Sequence, residues 1–308
     1  MVRKTLLLAI ALGLLVQGCA ADALTADAGA TGSAQKLLFT RNVEGGQHLF
    51  VAGTDGTDEQ QLTTQGLNFS ATWSPNGKRI AFARGGMSVP GVELFSMASN
   101  GDGLTELLSR DGLQQAVQDG SGLGGLSWSP DGTTLAFHAI DLWVPSVFVM
   151  PVAEGGASCP DGPGTCWLPP IFKVIEWGDE PAWSPDGKFL VFATYDGIWI
   201  AESDGSNPRV LVSSRSASDP AWSPAGDVIA ISIGDAEADI FTIRPDGSDL
   251  RQVTTLPGRE AHPTFSRDAV TIAFSHQTGP SSEVLGLDRG TGATTLLVEN
   301  ADSPVYQP

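Results

Sequence analysis

Apolar residues along the chain come in short runs, broken at close intervals by Pro, Gly, Ser and Asp. The run Arg79-Ile80-Ala81-Phe82-Ala83 is apolar without alternation, the pattern of a short strand covered on both faces. Ser74-Pro75-Asn76-Gly77 precedes it. That tetrapeptide suits a type I turn, in which Pro fixes φ at the second position and Gly takes the fourth. The turn therefore joins two antiparallel strands. A third strand is exemplified by Asp239-Ile240-Phe241-Thr242-Ile243, followed by an Asp-Gly turn at Asp246-Gly247 and a fourth strand at Arg251-Gln252-Val253-Thr254-Thr255.

This unit recurs. Trp73-Ser74-Pro75-Asn76-Gly77 returns as Trp128-Ser129-Pro130-Asp131-Gly132, Trp183-Ser184-Pro185-Asp186-Gly187, Trp222-Ser223-Pro224-Ala225-Gly226 and, more weakly, Phe265-Ser266-Arg267-Asp268. The anchor aromatics are spaced 55, 55, 39 and 43 residues apart. Four strands per unit of this length predict blades of a β-propeller, each aromatic packing between neighbours. The C-terminal Ser303-Pro304-Val305-Tyr306 reads as a first strand with nothing after it, and Lys36-Leu37-Leu38-Phe39-Thr40 as a second strand with nothing before it. Pairing them completes one blade and removes an open edge. The expectation is an all-β, six-bladed propeller of four-stranded blades, closed by the C-terminal strand against N-terminal strands. Two spacings hold inserts, at residues 110–122 and 152–170. The first suits a helical turn or a strand extension, and loops on a rigid ring are common places for function.

The motif Trp-Ser-Pro-Asp-Gly-Lys with its following apolar strand, most complete at residues 183–192, resembles the repeat of TolB-like propellers. The resemblance covers residues 36–308. It implies an envelope protein or peptide as partner. Related propellers also precede peptidase domains or form polysaccharide lyases, so the fold alone names no activity.

Ahead of the repeats, Arg3 and Lys4 precede an apolar stretch over residues 5–18, too short for the ~20 residues of a spanning helix and suited to an export signal. Val16-Gln17-Gly18-Cys19 resembles a bacterial lipobox, with an ordinary secretory signal as the alternative. The expected organisation is a signal peptide at 1–18, lipidated Cys19 with a flexible tether to residue 35, and the propeller at 36–308. Ala20 after the cysteine points to the outer membrane, with the propeller facing the periplasm. Cys159 and Cys166 lie in a Pro/Gly-rich loop, and an exported compartment favours a disulfide between them over a metal pair.

The chain carries a net charge of −18 with no Lys/Arg cluster, which argues against nucleic acid and leaves the lipid anchor as the one contact with membrane. No Gly-x-Ser-x-Gly, P-loop or His-Glu-x-x-His occurs. Aligning the repeats gives the best constellation. Three residues before each anchor stand Ser70, Gly125, Glu180, Asp219, His262 and Ser303, and one step earlier stand Asp179 and Asp302. In a ring these converge at one channel mouth, where carboxylates and a histidine can hold a cation, a basic peptide or a sugar. The candidate site is therefore Glu180, Asp219, His262, Asp179 and Asp302. A competing structural reading has Glu180 and Asp219 accept backbone N–H groups. The expectation is a monomeric binding module for a basic envelope segment. No cofactor is expected, with a divalent cation at the mouth as the alternative. A metal-assisted lyase or hydrolase is the alternative activity, weakened because only His262 of four histidines aligns to the ring.

Overall fold

A computed structural model describes residues 35–85, 91–117, 121–152 and 170–308. Each Ser-Pro-x-Gly segment turns as its sequence dictates. The Gly77 N–H donates to the Ser74 carbonyl at 2.8 Å, and Gly77 sits at φ 65°. Ser74 Oγ donates to Asn76 Oδ1 and accepts the N–H of Arg79, both at 2.9 Å. The same closure recurs at Ser129, Ser184, Ser223 and Ser266. In the last copy Ala269 occupies the left-handed position at φ 57° that Gly fills elsewhere, a conformation costing about 1–2 kcal/mol for a residue with a Cβ.

From each turn the strands pair antiparallel in chain order. One sheet holds Leu67–Trp73, Arg79–Gly85, Val92–Ala98 and Thr105–Leu108; a second holds Ser121–Trp128, Thr134–Asp141, Val144–Pro151 and Phe172–Glu176. A third runs Asp179–Trp183, Phe189–Thr194, Gly197–Glu202 and Arg209–Val212. The C-terminal strand Asp302–Tyr306 pairs with Lys36–Val43, placing Tyr306 opposite Leu37, and Gly46–Gly53 and Gln60–Gln61 complete that sheet.

The remaining strands differ from the expectation of six separate blades. Residues 217–298 form one sheet of eight strands, so the described residues hold five sheets. The join is a single parallel pair, Ala238 with Arg259. The outer strand Arg251–Gln252 is only two residues long and covers Phe241 and Thr242, which leaves Ala238 open to the next strand.

The first strand of each repeat touches the first strand of the next: Leu67–Trp73, Ser121–Trp128, Asp179–Trp183, Ala217–Trp222, Arg259–Phe265 and Asp302–Tyr306, and the last returns to the first. The ring is closed around these inner strands. Hydrophobic clusters fill the spaces between successive repeats, and each anchor aromatic belongs to one. Trp73 packs with Leu38 and Val51, Trp128 with Ala83 and Leu94, Trp183 with Ala136 and Val147, and Trp222 with Val191 and Ile198. Phe265 packs with Ala230 and Ile240, and Tyr306 with Ala273 and Val284. Trp73 Nε1 donates to the Val305 carbonyl at 3.1 Å and Trp222 Nε1 to that of Ala182 at 3.2 Å, pinning each ring to the preceding inner strand.

The insert at 110–122 holds both of the elements its sequence suits. Arg110–Ala116 is a short helix capped by Ser109, whose Oγ accepts the Gly112 N–H, and Ser121 opens the next inner strand. Cys19, Cys159 and Cys166 lie outside the described residues, as does nearly all of the insert at 152–170. Among the described residues no helix is long and apolar enough to cross a membrane.

Candidate functional site at the channel mouth

The inner strands share one irregularity, and it places the candidate residues. In each, two residues oppose one on the neighbouring strand, as where Asp179 pairs with Ala193 but Ala182 pairs with Val191. The register shifts at the same point of the other five inner strands. The bulged residue is in every case the aligned position: Ser70, Gly125, Glu180, Asp219, His262 and Ser303 have φ between 47° and 57°. Pro181, Pro220, Pro263 and Pro304 follow directly, tolerated because a bulge on an edge strand needs no ladder N–H there. A non-glycine residue held left-handed costs of order 1 kcal/mol, so the ring retains five strained side chains at these bulges.

Glu180, Asp219, His262 and Asp302 converge. Glu180 Oε2 accepts the N–H of Asp219 at 2.7 Å. His262 bridges two carboxylates, its Nε2 lying 3.4 Å from Asp219 Oδ1 and its Nδ1 3.3 Å from Asp302 Oδ1. Asp302 Oδ1 also accepts from Ser275 Oγ at 2.5 Å and from the Ser303 N–H at 2.6 Å. Asp179 is bound elsewhere, to His138, with Oδ1 2.5 Å from Nδ1, and it accepts the N–H of Glu180 at 2.8 Å. The structural reading thus holds for one oxygen of Glu180, which caps the neighbouring bulge, as Ser70 Oγ does for the Gly125 N–H at 3.3 Å.

The sequence alignment missed His138. It comes from a second strand, Thr134–Asp141, and reaches the mouth because Gly124 stands opposite it. A Cβ on Gly125 would lie 2.8 Å from His138 Nδ1 and 2.8 Å from the Glu180 Cα. The Gly124-Gly125 doublet was the available signal. His48 is buried against Asn68, and His276 is held by Pro257 and Glu283, so neither faces the ring.

Electrostatics at the mouth follow from this crowding. Burial and the neighbouring Asp219 charge push the Glu180 carboxyl up to about 8. Burial alone would lower His262, but Asp219, Asp302 and Glu180 outweigh it and raise the imidazole to about 9. Burial opposes ionisation of Asp302, yet the His262 contact and the Ser275 and Ser303 hydrogen bonds bring it to about 2. Asp179 is likewise held below its usual value by His138 despite burial. Among the described residues no group of three or more His, Cys, Asp or Glu is arranged to hold a metal ion.

These shifts set a direction for stability. His262 rises from 6.5 to about 9 on folding and Glu180 from 4.5 to about 8, so both stabilise at low pH and lose that contribution as pH climbs through the raised values. Asp302 falls from 3.8 to about 2, so its contribution is lost only in acid. The melting temperature should be highest near pH 5 and decline toward pH 9, and the alkaline decline should flatten in His262→Gln. Thermal melts across that range would expose an equal slope in both proteins, the result that contradicts this assignment.

A closed ring of antiparallel sheets defines a β-propeller. The chain resembles TolB proteins in two ways. It is 34% identical over 118 residues to a Protein TolB homolog of Chlorobium luteolum, covering 37% of this chain and 27% of that protein. It is 39% identical over 61 residues to the Tol-Pal system protein TolB of Legionella pneumophila, covering 19% of this chain and 15% of that one. These matches span well under half the length of the curated relatives. The crystal structure of TolB from Acinetobacter baumannii superposes with a TM-score of 0.71 at 16% identity, over 89% of this chain and 67% of that one, a likeness of fold. No family model matches the chain.

Proposed function

We propose that the protein is a cell-envelope interaction module that holds a basic protein or peptide segment over the acidic mouth of its ring. The observation that carries this reading is the convergence of Glu180, Asp219 and His262, at strained bulges where glycine would serve the backbone better, with Asp302 beside the bulge at Ser303. The net charge of −18 supports a cationic partner, because complementary fields raise association rates. Relatives named for the Tol-Pal system support an envelope protein as that partner.

Two structural parts of the proposal accompany it. The eight-stranded sheet is read as two blades bridged at Ala238 and Arg259, which gives six blades, one for each anchor aromatic. Residues 1–18 are read as an export signal and Cys19 as the lipid attachment point of an outer-membrane protein facing the periplasm.

The test is capture from envelope extract by the wild type and by Glu180→Gln/Asp219→Asn/His262→Gln. These substitutions keep an acceptor for the Asp219 N–H while removing the three ionisable groups, and so dismantle the cluster's charge pattern without altering the net charge near neutral pH. A defined protein retained by the wild type, at least about tenfold less by the variant, and released by moderate salt is the expected result. Equal retention by both would remove the mouth as the site, and no retention by the wild type would remove the stable-partner reading.

A further inference from the structure

A concavity of different make-up lies between two neighbouring sheets. It has a volume of about 640 Å³, within the usual range for ligand pockets. One wall is the strand Phe172–Glu176 from Val174 onward and the residue after it, Trp177; the other runs from the hairpin joining Phe189–Thr194 to Gly197–Glu202, past Trp199, to Gly205 and Pro208 at the other end of that sheet. Pairing of Asp179 with Ala193 sets the hairpin end beside Asp179. The two features are built from different residues.

Four aromatic residues line this groove: Trp177, Phe192, Tyr195 and Trp199. Trp177 is 54% exposed and Tyr195 70% exposed, large apolar surfaces left in solvent. Trp177 is also held at φ 65°, an outlier for so bulky a residue. Gly178 permits this. A Cβ there would lie 2.9 Å from Ile175 and 3.0 Å from Val147, so the loop is pressed onto the core and the indole is turned outward.

The charged members of the lining are both carboxylates, Glu176 and Asp196, and the lining holds no Lys, Arg or His. Asp196 Oδ1 accepts from Thr194 Oγ1 at 2.6 Å and from Trp199 Nε1 at 3.0 Å. Those bonds fix the Trp199 ring, keep Asp196 ionised and use up two of the donors in the wall. Arg215 lies near enough to act on Asp196 but does not line the groove. The Trp177 indole N–H and the Tyr195 hydroxyl could serve a neutral polyol, but such a ligand would leave both carboxylates without a countercharge. An organic cation needs aromatic faces and acceptors, which is what the wall offers.

We propose that this groove is a binding site for an organic cation of the guanidinium or alkylammonium class. The aromatic rings supply cation–π contact, and Glu176 and Asp196 supply charge neutralisation. The proposal stands apart from the channel reading, and either can fail alone.

The full chain is titrated with tetramethylammonium chloride and, separately, with arginine amide, at constant ionic strength, following tryptophan fluorescence. tert-Butanol and methyl glucoside serve as neutral comparisons. Saturable binding of at least one cation is expected, weakened about tenfold in Tyr195→Ala and measurably in Glu176→Gln, with no saturation by the neutral probes. Tyr195 is mostly solvent-exposed, so that variant should fold, and an unchanged melting curve verifies it. Tighter tetramethylammonium points to a free amine as ligand, and tighter arginine amide to a peptide side chain. Failure of both cations to saturate, equal binding of a neutral probe, or unchanged affinity in folded Tyr195→Ala overturns the proposal.

Discussion

Deleting residues 301–308 should abolish the single cooperative unfolding transition. The strand Asp302–Tyr306 contributes buried Tyr306 to one inter-sheet cluster and Val305 to the next. Its loss strips the Trp73 indole of its acceptor at Val305 and the strand Lys36–Val43 of a partner. The Gln307 N–H to Lys36 and Gln307 Nε2 to Gly77 bonds, both 2.9 Å, disappear with it. Losing two large apolar side chains costs about 1.5–3 kcal/mol each. Newly exposed Leu37, Phe39, Ala273 and Val284 add to this, for a total on the order of 5 kcal/mol or more. That rivals the ~5–15 kcal/mol by which domains are stable. Calorimetry should show a broadened transition at least about 10 °C lower. A melt superimposable on that of the intact chain would mean that closure does not hold the ring.

Gly125→Ala should destabilise by about 3 kcal/mol, an unusual cost for one methyl group. Two effects combine. The residue sits at φ 57°, where a Cβ costs about 1–2 kcal/mol. That Cβ would also meet the Glu180 Cα and His138 Nδ1 at 2.8 Å each, and a backbone atom of the adjacent strand has little room to retreat. Gly103→Ala separates the two, since Gly103 has φ 64° but nothing within 4 Å of its Cβ position. Denaturant titration should give only the strain for Gly103→Ala, about 1 kcal/mol, and clearly more for Gly125→Ala. Equal losses would place the whole effect in the backbone and none in the packing around His138.

The parts of the fold that were legible in sequence are those fixed by local chemistry. Ser, Pro and Gly set the turn, and the aromatic before it marks the inner strand, so the repeats and the pairing of the C-terminal strand with the N-terminal strand Lys36–Val43 follow from the repeated motif, while the register of Tyr306 opposite Leu37 does not. The merged sheet was not legible, because it rests on a single bridge, Ala238 with Arg259, that no motif marks, and the equally short Gln60–Gln61 leaves its own sheet separate. Glu180, Asp219 and His262 fall at one level by alignment because a bulge repeats with the unit. The alignment gave no hint that this position is left-handed in every copy, since Ser, Gly, Glu, Asp, His and Ser share no side-chain chemistry. His138 escaped because it projects from a different strand, through space that Gly124 and Gly125 leave open. The aromatic groove escaped for a related reason: Trp177 and Tyr195 are 18 positions apart and meet only once two sheets stand side by side.

The way two of the bulges are capped from the preceding repeat carries an evolutionary consequence. Ser70 serves Gly125, Glu180 serves Asp219, and Asp219 in turn faces the His262 ring. At these two junctions a side chain of one repeat is part of the backbone support of the following repeat. Changing the specificity of the mouth by a single substitution loosens the adjoining blade, so new binding preferences are most accessible through paired changes. Homologous rings should then show covariation between successive bulge positions, running in one rotational sense around the channel.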